Sequence, residues 1–273
     1  VSAYAEYDSL PGIRWSVLSS MRTSPLHYRY RRSAPQADTP AMLLGRLVHC
    51  AVLEPDLLPR EFVVWEAARR GKEWAEFVSV NAAKDIVTAA EYTRALAIRD
   101  AVHAHPDAAA LLAIGESERT VTWTDPDTGL ACKSRVDHLR EHKGVVTLAD
   151  LKTTKDISPR LFGRTCDFFR YPSQLGFYAM GVSEALDVSP DDVRGVLIAV
   201  ESDEPHDVAV YRLSEDDLWA GTDEARELLR RVRECEDSGH WPGAHQEAEV
   251  LELPAWTWGD DEESAVSIIE GRA

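Results

Sequence analysis

Asp150 and Lys152 stand two residues apart at the end of an apolar run, residues 145–151 (VVTLADL). Side chains of a strand alternate between its faces, so an acid and an amine at this spacing share one face. A second alternating run, residues 130–139 (LACKSRVDHL), carries Asp137, and the intervening REHKG reads as the turn of a hairpin. With the turn centred between His142 and Lys143, Asp137 lies opposite Leu148 and diagonal to Asp150, roughly 7–8 Å away. A slip of two residues brings the two acids level. Carboxylates this close repel one another unless they share a cation. Magnesium suits them, with manganese able to substitute, because hard cations take carboxylate oxygens and keep sites open for water and phosphate. Such an ion activates water and offsets charge at phosphorus, and Lys152 beside it would orient or help deprotonate that water. Taken alone, Asp-x-Lys is more often a surface ion pair.

Other residues fit the same chemistry. His49 lies on a helical stretch one turn after Gly45 and offers an imidazole, although a lone histidine there is more often packed core. Glu118 opens the first strand and adds a carboxylate, and Glu116 competes for that place. Gln174 and Tyr178 are four apart, hence on one helix face, where both can hydrogen-bond a phosphate or base. Residues 22–32 (RTSPLHYRYRR) form a basic track without an acid. There Arg29 and Arg31 are candidate phosphate contacts, and His27, Tyr28 and Tyr30 are candidate stacking groups. Taken by itself, that segment reads better as a solvated basic helix end.

The elements that must position these groups follow from periodicity and punctuation. Thr39-Pro40 caps and opens a helix that Pro55 stops. Residues 88–113 are helical with a break near Pro106, and residues 59–82 are ambiguous, with FVVWE readable as a strand and GKEWAEFVSVNA as a helix. Three strands in succession cover ERTVTWT, LACKSRVDHL and VVTLADLKTT. Helices open at Ser158-Pro159 and Tyr171-Pro172, two strands follow, and a charged helix runs from about Glu215 to Glu236. Residues 31–38 read as a loop. The expected architecture is a single α/β domain with a central mixed β-sheet flanked by α-helices. Residues 1–40 supply an N-terminal helix and basic segment, 41–255 the core, and 256–273 an acidic, loose tail.

The chain has 273 residues, 47 acidic against 30 basic, and a formal charge of −17. That charge disfavours a general nucleic-acid coat and leaves room for a local basic track. No apolar run is long enough to span a bilayer, so no membrane partner is expected. The four cysteines, Cys50, Cys132, Cys166 and Cys235, show no paired spacing, and free thiols in the cytoplasm fit best.

Taken in order, GRLVHCAVLEP, ESERTVTW, RVD, DLK and Q-x-x-x-Y resemble the motifs of the PD-(D/E)xK nuclease superfamily. The order is similar to its RecB-like branch, and SPLHYRY, TDPDTGLACKSRVD and DLKTT resemble the RecE-type, exonuclease VIII-like phage enzymes. The resemblance covers about residues 10–255. It implies that His49, Asp137, Asp150 and the backbone carbonyl of Leu151 hold the metal, with Lys152 catalytic. Glu118 would match the first acidic motif, and Gln174 and Tyr178 would position substrate. It further implies a magnesium-dependent 5′–3′ exonuclease of double-stranded DNA ends that leaves 3′ overhangs for recombination, a homo-oligomeric ring, and a single-strand annealing protein as partner. Cys235 stands without the C-terminal cysteine cluster of the iron–sulfur members, so no such cluster is expected. A catalytically silent DNA-end-binding module and a structure-specific endonuclease are the other activities this fold accommodates.

Overall fold

A computed structural model of the chain describes residues 3–34 and 39–253. The expected acidic tail lies outside the described residues. α1 (Ala3–Ser9) and α2 (Trp15–Leu18) lead through a tight turn, Ser19–Arg22, to α3 (Pro25–Ser33). Ser24 caps α3 by accepting the His27 N–H at 3.2 Å. The helix includes Arg31–Ser33, the start of the expected loop, because nothing in YRYRRS interrupts it. α4 (Pro40–Leu53) begins where Thr39 accepts the Met42 N–H at 3.3 Å, and it ends at Glu54-Pro55. A short helix, α5 (Leu58–Glu61), follows. A small parallel pair, β1 (Phe62–Val64) and β2 (Asp85–Val87), then brackets α6 (Gly71–Val80). α7 (Ala89–Ala104) starts at a reciprocal cap between Thr88 and Glu91, and α8 (Pro106–Leu112) follows the break at Pro106.

β3 (Glu116–Thr124), β4 (Ala131–His142) and β5 (Val145–Thr154) form an antiparallel meander. α9 (Pro159–Phe169) and α10 (Tyr171–Leu186) cross over to β6 (Val193–Glu201), parallel to β5. β7 (Val208–Arg212) closes the sheet, and α11 (Glu215–Ser238) packs back on it. The order β3-β4-β5-β6-β7 is a five-stranded mixed sheet, and helices cover both faces.

β5 shows how the sheet sorts its side chains. Val146 and Leu148 enter the core shared with α10 and α11, whereas Ala149 and Leu151 enter the core shared with α4 and α7. The parity that sends Val146 and Leu148 toward α10 sends Asp150 and Lys152 the same way. α10 lies unusually close to α11, because a Cβ on Gly176 or Gly221 would overlap the backbone of the facing helix.

The hairpin turn differs from the expected one. Lys143 (φ 52°) and Gly144 (φ 80°) form a two-residue turn with both residues in the left-handed region, which suits strand twist. The register is therefore Leu139↔Leu148 and His138↔Ala149, two residues from the first expectation. Asp137 comes level with Asp150 instead of Leu148. Tyr28 also departs from expectation. Its ring is fully buried and stacks on Trp241 at 5.8 Å, so it is not presented to a base.

Candidate active site

The β4–β5 ladder ends at His138↔Ala149, and the next residues part. A backbone donor left at that split must find another partner. Asp137 supplies it, its Oδ2 accepting the Leu151 N–H at 2.8 Å. The carboxylates of Asp137 (8% exposed) and Asp150 (1%) are thus buried where the two strands open.

Toward α4, the His49 ring lies across this opening. Its Nε2 is 2.8 Å from the Leu151 carbonyl oxygen, which only accepts, so that nitrogen carries a proton. Its Nδ1 is 3.4 Å from Asp137 and 3.8 Å from Glu118. Burial opposes a charged imidazolium, but the two carboxylates outweigh it and hold the His49 pKa well above the usual value. Ligand-capable atoms of His49, Glu118 and Asp137 all lie within 4.8 Å of one another.

Glu118 reaches this group through an unusual backbone. Ser117↔His138 and Arg119↔Val136 pair normally, and Glu118 between them adopts φ 52° outside the ladder. Arg135 fixes the result, donating from Nε to Glu118 at 2.6 Å and from its terminal nitrogen to Glu54 at 3.0 Å. Glu116 is exposed on the surface and pairs with Arg119. Of the two glutamates left open by the sequence, Glu118 is the one beside the aspartates.

Toward α10, Asp150 pairs with Lys152 through Oδ2. Its Oδ1 accepts from Gln174 Nε2 at 3.1 Å, and that nitrogen lies 2.9 Å from the Tyr178 hydroxyl. Gln174 Oε1 accepts from Lys152 Nζ at 3.2 Å, and the Tyr171 ring lies 4.6 Å from the same ammonium. Burial pushes the Asp150 carboxyl up to about 6, against the pull of Lys152 and with a further push from Asp137. Burial opposes the charge on Lys152, yet Asp150 and Asp137 outweigh it and raise its pKa. For Asp137, burial raises the pKa, and His49 and Lys152 outweigh it, so it is lowered.

The structure thus brings together His49, Glu118, Asp137, Asp150, Leu151, Lys152, Gln174 and Tyr178. It leaves out Arg29 and Arg31. They lie on α3, which packs against α11, and no side-chain hydrogen bond or ion pair among the described residues joins them to the group. Sequence reasoning missed Arg135 and Tyr171. RVD did contain Arg135, two residues from Asp137, and Tyr171 sits one helical turn before Gln174.

The donors present fit a hard divalent cation. Carboxylates, a backbone carbonyl and an imidazole converge there, and no thiolate is among them. All four cysteines are free, and among the described residues no helix is long and apolar enough to cross a membrane.

Comparison with known proteins agrees with this geometry. No curated protein matches the chain. A solved structure from Eubacterium rectale, provisionally described as an exonuclease, is similar over 93% of this chain and 92% of its own, at 12% identity and a TM-score of 0.62. At that identity the likeness concerns the fold. A second structure, SSO0001, aligns over 71% of this chain and 88% of its own at 14% identity, and its TM-score of 0.27 carries no argument. The profile of the family described as a PDDEXK-like domain of unknown function (DUF3799) matches residues 15–254, and the chain belongs to that family.

Proposed function

We propose that this protein is a metal-dependent nuclease, and more narrowly a 5′–3′ exonuclease acting on ends of double-stranded DNA. The observation that carries this reading is the convergence of the buried Asp137 and Asp150 carboxylates with Lys152 at one strand split, beside His49 and Glu118. His49, Glu118, Asp137, Asp150 and the Leu151 carbonyl would hold magnesium or manganese, which supplies an activated water and offsets charge on the scissile phosphate.

The protein's own groups divide the remaining work. Lys152, held as an ammonium by the two aspartates, stabilises negative charge growing on the phosphate oxygens. Gln174 fixes the lysine's position while engaging Asp150, and Tyr178 fixes Gln174. Arg135 holds the Glu118 carboxylate in place. Ring assembly, a recombination role and an annealing partner extend the proposal on the strength of the motif resemblance.

Linear and closed-circular duplexes with magnesium test the reading. Loss of the linear form from its 5′ ends, with the circle intact, is the expected result. Cutting of the circle points to an endonuclease, and binding without cutting to a silent end-binding module. Either would overturn the exonuclease assignment.

A further inference from the structure

α9 follows the catalytic strand directly and has two different faces. Phe162 and Cys166 recur at helical spacing on the inner one, and Phe169, 57% exposed, continues the row at its edge. Phe162 is buried and stacks on Tyr211 at 5.4 Å, and Phe169 stacks on Tyr171 at 5.8 Å with planes 12° apart. Tyr171 in turn carries Lys152, so the inner face ends at the proposed catalytic lysine.

The outer face departs from the usual solvated pattern. Leu161 is 40% exposed and Phe168 is 76% exposed, and they share this face with Arg164. Phe168 meets Phe169 edge to face at 4.9 Å. An aromatic row therefore runs from solvent through Phe168, Phe169 and Tyr171 to Lys152. Lys155, Arg160 and Arg164 are exposed, and none has an ion-pair partner among the described residues. On a chain of charge −17, residues 155–170 carry Lys155, Arg160, Arg164 and Arg170 against only Asp156 and Asp167, a local excess of positive charge. The nearby acids are engaged locally, Asp167 with Arg170 and Asp156 with the Ser158 N–H.

We propose that the outer face of α9 receives the end of a DNA duplex, with Phe168 stacking on the terminal base pair and Arg160 and Arg164 contacting backbone phosphates. This rests on the nuclease reading for its substrate and adds the surface that delivers the end to Lys152. A local excess of cations on an acidic chain complements a polyanion, and an exposed ring continuous with an aromatic row leading to Lys152 complements a flat base.

Binding is measured with the full chain carrying Asp150→Ala, in magnesium, so that strands stay intact. The probes are a blunt duplex and the same sequence closed by loops at both ends. Phe168→Ala is expected to weaken blunt-duplex binding roughly ten-fold and to abolish the preference over the closed form. Arg160→Gln with Arg164→Gln is expected to lower the slope of log affinity against log salt by about 2. Unchanged affinity and slope overturn the proposal. So does a smaller sedimentation mass for Phe168→Ala with DNA binding intact, which assigns the face to a second copy of the chain. Cleavage is read separately on chains with Asp150 present. A protein that binds through α9 yet never cuts sinks the nuclease reading alone. One that cuts and binds equally well with all three side chains removed sinks only this proposal.

Discussion

The two sides of the candidate site are built differently. On the α4 side, His49, Glu118 and Asp137 crowd three potential ligands together, and their charges are balanced from outside by Arg135. On the α10 side, Asp150, Lys152, Gln174 and Tyr178 form one connected polar chain that fixes an ammonium group. The first arrangement is suited to gripping an ion and the second to directing a charge at substrate. Substitutions on the α4 side should therefore alter metal affinity, and those on the α10 side should alter the rate at saturating metal.

The largest expected effect comes from Asp150, which belongs to both sides. Asp150→Ala should lower duplex cleavage by about 10³-fold or more in single-turnover assays. Full activity would dissolve the distinction between the sides along with the mechanism. Glu118→Gln comes next. Calorimetric titration with manganese should show affinity falling roughly 10–100-fold, whereas Gln174→Ala should leave it within about threefold. Equal losses in both would show that the sides act as one unit. Tyr171→Leu should slow cleavage about ten-fold at saturating metal, and Tyr171→Phe should retain most of the rate, because the ring face is what meets Lys152. The smallest effect is expected for Tyr178→Phe. Loss of one neutral hydrogen bond should cost the rate roughly three-fold, with metal affinity unmoved.

Much of this was readable in the amino-acid order, for definite reasons. Alternation in VVTLADLKTT placed Asp150 and Lys152 on one face, and the four-residue spacing of Gln174 and Tyr178 placed both on one face of α10. Proline residues marked the helix starts at 40, 159 and 171. The first hairpin register failed because it depended on which two residues entered the left-handed region, and Gly144 decided that. β2 went unread because three residues, Asp85–Val87, are too few to show a period. Arg135 and Tyr171 were missed because their roles arise from contacts between elements distant in sequence. Arg29 and Arg31 lie on α3, an element that packs on α11, so a run of charge in the sequence does not by itself show how near it comes to the site.

Glu118 carries a consequence beyond this site. A non-glycine residue held at φ 52° costs roughly 1–3 kcal/mol, and glycine there would relieve most of it. Stability and chemistry thus pull in opposite directions at one position. A population selected only for heat tolerance would be expected to drift away from glutamate there, becoming sturdier as its grip on the ion loosened.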